Sequence, residues 1–437
     1  MASEWECAPL STLVDDILDR RGVTPRKLGS DFVSQGFRVI SAKVVKDGRL
    51  DLSADEPRFV DEPTYRKWMK GPLLADDVIL TSEAPLGEVA YIHEQVDWCL
   101  GQRLFCIRTS KERLYGRFLY YALQSESVRH DLYSRATGTT AQGIRQAELR
   151  RVVIPVPPLS EQRAIAHILG TLDDKIELNR RMNATLEAIA RAIFKSWFVD
   201  FDPVHSKARG EQPSGMDAET AALFPDSFED SELGQIPAGW GVGALSNIAD
   251  NPRRGIKPEA MDSNTLYIGL EHMPQKSITL DAWGRTSNVA SNKFKFRKGE
   301  FLFGKLRPYF HKVGIAPDDG VCSTDILVIV PTFEAWYGLT LFHISSKEFI
   351  DYTTAASTGT RMPRTNWDTM SKYPIVIPDP KVAEAFSCFL RPLLDTIQNN
   401  IWQSRTLAAL RDALLPKLIS GELRTKELHH VPSTGTG

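Results

Sequence analysis

Residues 159–200 read LSEQRAIAHILGTLDDKIELNRRMNATLEAIARAIFKSWFVD, and their apolar positions step by four and three residues without a miss. Ile165, Leu169, Leu172, Ile176, Asn179, Asn183, Leu186, Ala190, Ile193 and Trp197 form one narrow seam. This is the a/d pattern of a coiled coil, kept over more than four heptads with Glu, Lys, Arg and Asp on its flanks. A helix lying on a domain usually shows a wider apolar stripe, so the seam calls for a partner helix. No proline interrupts the stretch, and Pro155, Pro157 and Pro158 close off what precedes it.

The partner helix lies in the same chain. An offset of 221 residues carries the seam onto Phe386, Leu390, Leu393, Ile397, Asn400, Ser404, Leu407, Arg411, Leu414 and Leu418. Polarity class is kept along it, with Ala190/Arg411 the clear exception, and Asn179 falls on Asn400. The same offset aligns Thr-Gly-Thr at 137–139 with Thr-Gly-Thr at 358–360, and residues 154–157 with 375–378. A gapless register of this length marks a tandem repeat of one large unit. Pro392 is expected either to kink the second helix or to mark its true start, and Pro416 to loosen its end.

Around the two helices the chain divides by composition. Residues 1–158 read as a mixed α/β domain, with short β-type runs at 77–81, 104–108 and 152–156 and helical spacing over 114–128. Residues 201–238 hold eight acidic and two basic side chains among Pro, Gly and Ser, and read as an acidic connector that Phe224-Pro225 and Ile236-Pro237 pin against something. Residues 239–380 repeat the first domain: Trp240, Leu245, Ser246 and Ile248 echo Trp5, Leu10, Ser11 and Leu13. Residues 381–424 form the second long helix, and 425–437 read as a disordered tail.

A chain of 437 residues holds two or three domains. No apolar run reaches about 18 residues, so no membrane span is expected, and MASEWECAPL does not read as a secretory leader. The five cysteines are scattered without a CxxC pair, which points to neither a disulfide framework nor a zinc site. A cytoplasmic location is the expectation.

Catalytic signatures are wanting. Gly241-Val-Gly243 lacks the third glycine and preceding strand of a dinucleotide fingerprint, and Gly304-Lys305 lacks the upstream glycine of a phosphate loop. No Asn-Pro-Pro-aromatic or Asp-Pro-Pro-Tyr motif occurs, so the chain is not expected to flip and methylate a base. The nine histidines show no metal-binding spacing. The expectation is a non-enzyme with no cofactor or metal of its own.

Binding residues are easier to find. The net charge of −2 hides a local excess, since residues 291–312 hold seven Lys or Arg and one Glu. Lys293, Lys295, Arg297, Lys298, Lys305, Arg307, Tyr309, His311 and Lys312 mix positive charge with aromatic rings, the chemistry that neutralises phosphates and reads base edges. Two polar loops, around Thr139, Thr140, Gln142 and Arg145 and around Thr360, Arg361 and Arg364, carry donors without acids nearby in sequence. These residues, with Lys305, Arg307 and Tyr309, are the expected DNA contacts. The rival reading is a protein-interaction scaffold that does not read DNA.

The sequence resembles the specificity subunits of type I restriction-modification systems. The resemblance rests on IPVPPLSEQR at 154–163, KSWFVDFDP at 195–203, Phe224-Pro225, SELG at 231–234, IPAGW at 236–240 and LLPKLISGE at 414–422, and spans essentially the whole chain. The second copy departs at PDPKVAE, residues 378–384, where the first has PPLSEQR. The resemblance implies an α+β fold of two tandem mixed α/β target recognition domains separated by a long antiparallel two-helix coiled coil, pseudo-two-fold symmetric. It implies double-stranded DNA as ligand, read as a split site with one half per recognition domain. It also implies partners: methylation (M) subunits that carry S-adenosylmethionine, and a restriction/translocase (R) subunit. A rod of four-plus heptads is on the order of 50 Å long, enough to hold two readers about one duplex turn apart.

Overall fold

The computed structural model describes residues 5–138, 142–359 and 361–428. The chain divides into two compact units, Met1–Lys175 with Leu407–Gly437, and Ile176–Thr406. Both long helices, Leu159–Phe198 and Pro380–Ser420, contribute to each unit.

The first unit is built on a four-stranded antiparallel sheet in the order Val14–Asp19, Leu104–Thr109, Val78–Ser82, Leu86–Tyr91. Side chains alternate across a strand, and here the two faces enter different cores. Val78, Leu80, Phe105 and Ile107 pack with Phe118, Ile165, Leu169 and Leu418. Ile79, Ala90, Leu104 and Cys106 pack with Val39, Ile40, Val60 and Trp68 beneath a three-stranded sheet. That second layer contains a parallel pair, Phe37–Ile40 beside Cys99–Leu100.

The second unit uses the same plan. Its four strands run Ala249–Asp250, Ile326–Pro331, Phe301–Gly304, Val313–Ile315. Phe301, Phe303 and Ile329 face the helices, while Leu302, Ile326 and Val328 face a second layer of five strands. That layer again has a parallel pair, Leu266–Ile268 beside Gly320–Cys322. The duplication is thus visible in topology, and the copies differ most in the outer layer.

Within each unit the long helices meet. In the first, Leu415, Leu418 and Ile419 share a core with Ile165 and Leu169. Arg411, the odd residue of the repeat, pairs with Asp173 at 2.7 Å. Burial opposes its charge, but the carboxylates of Asp173 and Asp412 outweigh that and hold the guanidinium firmly protonated. Its repeat-mate Ala190 is instead buried in the apolar core of the second unit, so the mismatch reflects two different surroundings.

In the second unit Asn179 Nδ2 donates to Gln403 Oε1 at 2.8 Å and to Ser404 Oγ at 3.2 Å. Asn400 Nδ2 donates to Asn183 Oδ1 at 2.9 Å. Rising numbers on one helix meet falling numbers on the other, so the chains run antiparallel there. Ile176, Leu390 and Ile397 are also buried, while Leu172, Leu186, Ile193, Leu393, Leu407 and Leu414 are half-buried.

Several expectations are corrected. The second helix begins at Pro380, not Pro392, and passes Pro416 to end at Ser420. Proline suits the first helical position, and both internal prolines are exposed, so carbonyls they leave without a donor can turn to water. Gly421, at φ +78°, stops the helix, and Trp5 packs so closely that a Cβ there would lie 2.8 Å from its ring. The first helix ends at Phe198. Helical spacing over 114–128 resolves into two helices, Gly116–Ala122 and Glu126–Ser134.

Residues 201–238 are a folded connector, pinned at Phe224 and Ile236 as expected. They form helices Asp202–Ala208 and Ala218–Ala222 and the hairpin Phe228–Ser231 with Gly234–Pro237. Val204, Phe224 and Ile236 are buried with Trp197, Phe198, Trp240 and Phe386. Val204 is the anchor that the acidic composition masked. The tail also starts folded: Thr425 opens the short helix Thr425–Leu428, is buried, and donates its N–H and Oγ to Glu161 at 2.9 and 2.8 Å. Residues 429–437 lie outside the described residues.

The Leu-Ser-Glu-Gln-Arg motif has an internal task. Gln162 is fully buried; its Oε1 accepts from the Tyr115 N–H at 2.8 Å, and its Nε2 donates to the carbonyls of Pro157 at 2.8 Å and Arg113 at 3.0 Å. The second copy has Ala383 there and uses Ser387, which accepts from the Gly338 N–H at 3.0 Å and donates to the Ala335 carbonyl at 2.8 Å. Gln162→Leu should cost the first unit roughly 2–4 kcal/mol by stranding buried backbone groups. Exposed Arg163→Ala should cost less than about 0.5 kcal/mol. Urea unfolding of the two variants checks the contrast.

Candidate nucleic-acid interface

In the second unit, strand Phe301–Gly304 runs out into Lys305, Leu306 and Arg307, and Arg364 bridges back to both Leu306 and Thr358. The Arg307 N–H donates to the Pro363 carbonyl at 2.7 Å, and the Thr365 N–H donates to the Lys305 carbonyl at 3.1 Å. Thr358 and Arg364 close the loop with backbone bonds of 3.0 and 2.9 Å. Arg307 Nη2 donates to the Arg361 carbonyl at 3.4 Å. Two candidate stretches far apart in sequence thus form one surface. Tyr309, Arg361 and Arg364 are exposed on it, and Lys305 and Arg307 are half-buried.

The first unit repeats this turn. Thr137 and Gly143 exchange backbone bonds of 2.8 and 2.9 Å, and the Ile144 N–H donates to the Ser82 carbonyl at 2.9 Å, as Thr365 does to Lys305. Ala84 and Arg307 occupy matching places with φ of 48° and 51°, each followed by proline. Gln142 and Arg145 are exposed. Thr139, Thr140 and Thr360 lie outside the described residues.

The loops are not clear of acids. Arg364 Nε donates to Asp325 Oδ1 at 3.1 Å, and Glu83, bridged opposite Gly143, pairs with Arg103 at 3.3 Å. Both acids arrive across the sheet, where no local window of sequence shows them. Exposed pairs of this kind contribute only about 0–1 kcal/mol, but they offset charge that would otherwise face a phosphate.

The basic run 291–312 is divided as well. Lys293 is buried and donates to Ser291 Oγ at 2.6 Å, and Lys312 donates to the Leu270 carbonyl. Lys293–Phe296 is a strand of the outer layer, whereas Lys305 leaves the four-stranded sheet. Lys295, Arg297 and Lys298 remain exposed.

Sequence reasoning missed Arg21, which supports the first loop. Its Nη1 donates to the Ile144 carbonyl at 3.1 Å, it pairs with Asp19 at 2.6 Å, and its guanidinium lies 4.2 Å from the Phe105 ring centre. It also missed a cleft of about 170 Å³ beside Lys305, lined by Asn251, Arg253, Phe294, Asn366 and Trp367. Neither has a motif; each is assembled from separate strands. Among the described residues no group of three or more His, Cys, Asp or Glu is placed to hold a metal, and no helix is long and apolar enough to cross a membrane.

Residues 70–188 match the family model described as type I restriction modification DNA specificity domain. The chain is 27% identical to the type I restriction enzyme MjaIX specificity subunit of Methanocaldococcus jannaschii, covering 93% of this chain and 87% of that one. It is 25% identical to the HindI specificity subunit of Haemophilus influenzae, covering 79% and 86%. In fold it resembles the crystal structure of the type I restriction-modification S subunit from M. genitalium, with a TM-score of 0.54 at 16% identity over 95% of this chain and 96% of that one. The chain therefore carries a type I restriction modification DNA specificity domain over residues 70–188 and is similar over most of its length to type I restriction enzyme specificity subunits.

Proposed function

We propose that this chain reads a bipartite double-stranded DNA target, one half-site per unit, and docks the methylation and restriction subunits that act on it. The observation that carries the reading is the joining of Lys305, Arg307, Tyr309, Arg361 and Arg364 into one surface by backbone bonds, on a turn built the same way in the first unit. In this reading the long helices form an antiparallel coiled coil, with approximate two-fold symmetry, that spaces the readers. Leu178, Met182 and Ile189, exposed on the first long helix, supply an apolar stripe for the methylation subunits.

Sequencing methylated adenines in host DNA, with and without the gene, tests the reading. A split motif that vanishes on deletion supports it, and an unchanged methylation pattern rejects it. A scaffold that does not read DNA would show no steep salt dependence on mixed duplex. Deleting one heptad from each helix should shorten the recognised spacer by about three base pairs, from about 1.5 Å per helical residue and 3.4 Å per base pair. An unchanged spacer with retained binding would reject the rod as ruler. Arg307→Ala and Arg361→Ala should each weaken recognition of the second half-site by about 1–3 kcal/mol and leave the first untouched.

A further inference from the structure

The turn that presents Arg307 and Tyr309 is strained and is braced from behind by a long helix. Arg307 and His311 flank the single turn Pro308–Phe310, and both hold φ of 51°, a left-handed conformation unfavourable for residues other than glycine. Such outliers persist where surrounding contacts over-determine them.

The contacts at the His311 end run inward. The Lys276 N–H donates to the His311 carbonyl at 2.8 Å. His311 Nε2 lies 3.0 Å from the Ser345 carbonyl, which as an acceptor fixes the proton on Nε2. The same carbonyl accepts from Arg191 Nη1 at 2.9 Å, and Ser345 Oγ accepts at 3.3 Å. Arg191 donates through Nε and Nη2 to Glu187 Oε1 at 3.0 and 2.8 Å. Glu187 is 6% exposed and also accepts from Ser277 Oγ at 2.8 Å and the Ile278 N–H at 3.1 Å. Its carboxylate thus anchors the 276–278 segment that holds the His311 carbonyl. Two routes therefore lead from the helix to the turn, one through Ser345 and one through Lys276.

We propose that Glu187 and Arg191 of the first long helix are positioning residues for DNA reading by the second unit, holding Arg307 and Tyr309 in place through Ser345, His311 and the 276–278 segment. The inference rests on the DNA-reading function proposed above and adds the residues that set its geometry. Burial keeps the His311 imidazole below its ordinary range; the Ser345 carbonyl and Glu187 act the other way, while Arg191 and Lys276 reinforce the shift. The brace therefore works with a neutral imidazole. The first unit is wired differently: Tyr133, from its own short helix, donates to the Leu86 carbonyl at 2.8 Å behind the matching turn. The first half-site is therefore an internal control.

The test uses the full-length chain with its methylation subunits and a library of random-sequence DNA duplexes, scoring enriched base positions for each half-site separately. Arg191→Leu and His311→Leu should lower second half-site selection roughly tenfold, the scale of one lost base contact, with the first half-site unchanged. His311→Gln, whose amide can donate to the Ser345 carbonyl, should recover most of the loss. Thermal melting is recorded in parallel, and Glu187→Gln, which keeps an acceptor for Ile278, serves where the leucine variants fail to fold. Equal loss at both half-sites, or full second half-site selection by folded variants, overturns the proposal. A wild-type chain that enriches no motif overturns the DNA reading itself.

Discussion

Phe386→Ala is expected to destabilise the second unit by roughly 3–5 kcal/mol, the range for emptying a buried phenylalanine site. Phe386 is fully buried, and its ring centre lies 5.1 Å from Phe198, 5.7 Å from Trp197, 6.0 Å from Phe342 and 6.1 Å from Phe194. Those neighbours come from the first long helix and from the helix Tyr337–Ile344, so one side chain ties both long helices to the core of the second unit. Four aromatic neighbours and the close-packed Gly338 backbone leave little room for collapse, which places the cost high in its range. Phe389→Ala, three positions on and 42% exposed, should change stability by less than about 0.5 kcal/mol. Urea unfolding followed by tryptophan fluorescence, with Trp197 and Trp240 in the same cluster, reads both variants. A loss below about 1 kcal/mol for Phe386→Ala would show that the cluster is not a keystone.

Acid should weaken the second unit through His343. This residue is half-buried on the helix Tyr337–Ile344, with Phe194 edge-on at 5.2 Å and its ring Nε2 buried without a hydrogen-bond partner among the described residues. Burial pushes its imidazole down to about 4, against an ordinary 6.5. The folded state therefore binds fewer protons than the unfolded state, and the histidine-linked stability is complete above pH 6.5. It is lost as pH falls toward 4, and the full span is worth about 3 kcal/mol. The check is unfolding free energy at pH 7 and pH 4.5 for the wild type and for His343→Leu. The gap between them should shift by most of that amount. A gap that stays constant would assign the acid sensitivity to other groups.

The fold was legible in sequence where a strict period constrained it. The four-three seam located both long helices, and the offset of 221 announced the duplication, because a buried helix face tolerates few polar side chains. Averages over composition served less well. Residues 201–238 looked like a connector pinned at Phe224 and Ile236, which are buried, but the acidic average hid Val204, the two helices and the hairpin. Pro392 looked like a kink or a helix start because a rule about backbone donors was applied without knowing which side of the helix faced water.

The candidate interface was legible only in pieces. Basic and aromatic residues at 305–309 and donors at 361–364 stood out separately, and strand pairing joined them. The acids that temper them, Asp325 and Glu83, and the brace from Glu187 to His311 are long-range in sequence and carry no local pattern.

One feature of the first unit reaches into genetics. Leu415, Leu418 and Ile419 complete a core that begins with Leu10 and Leu13, and the Arg424 guanidinium sits 3.5 Å from the Trp5 ring centre. A nonsense codon shortly after Arg411 would therefore spare the second unit's own strands and unravel the unit translated first. If each unit reads one half-site as proposed, truncation alleles scored by lost half-site would map the defect to the opposite end of the gene from the lesion.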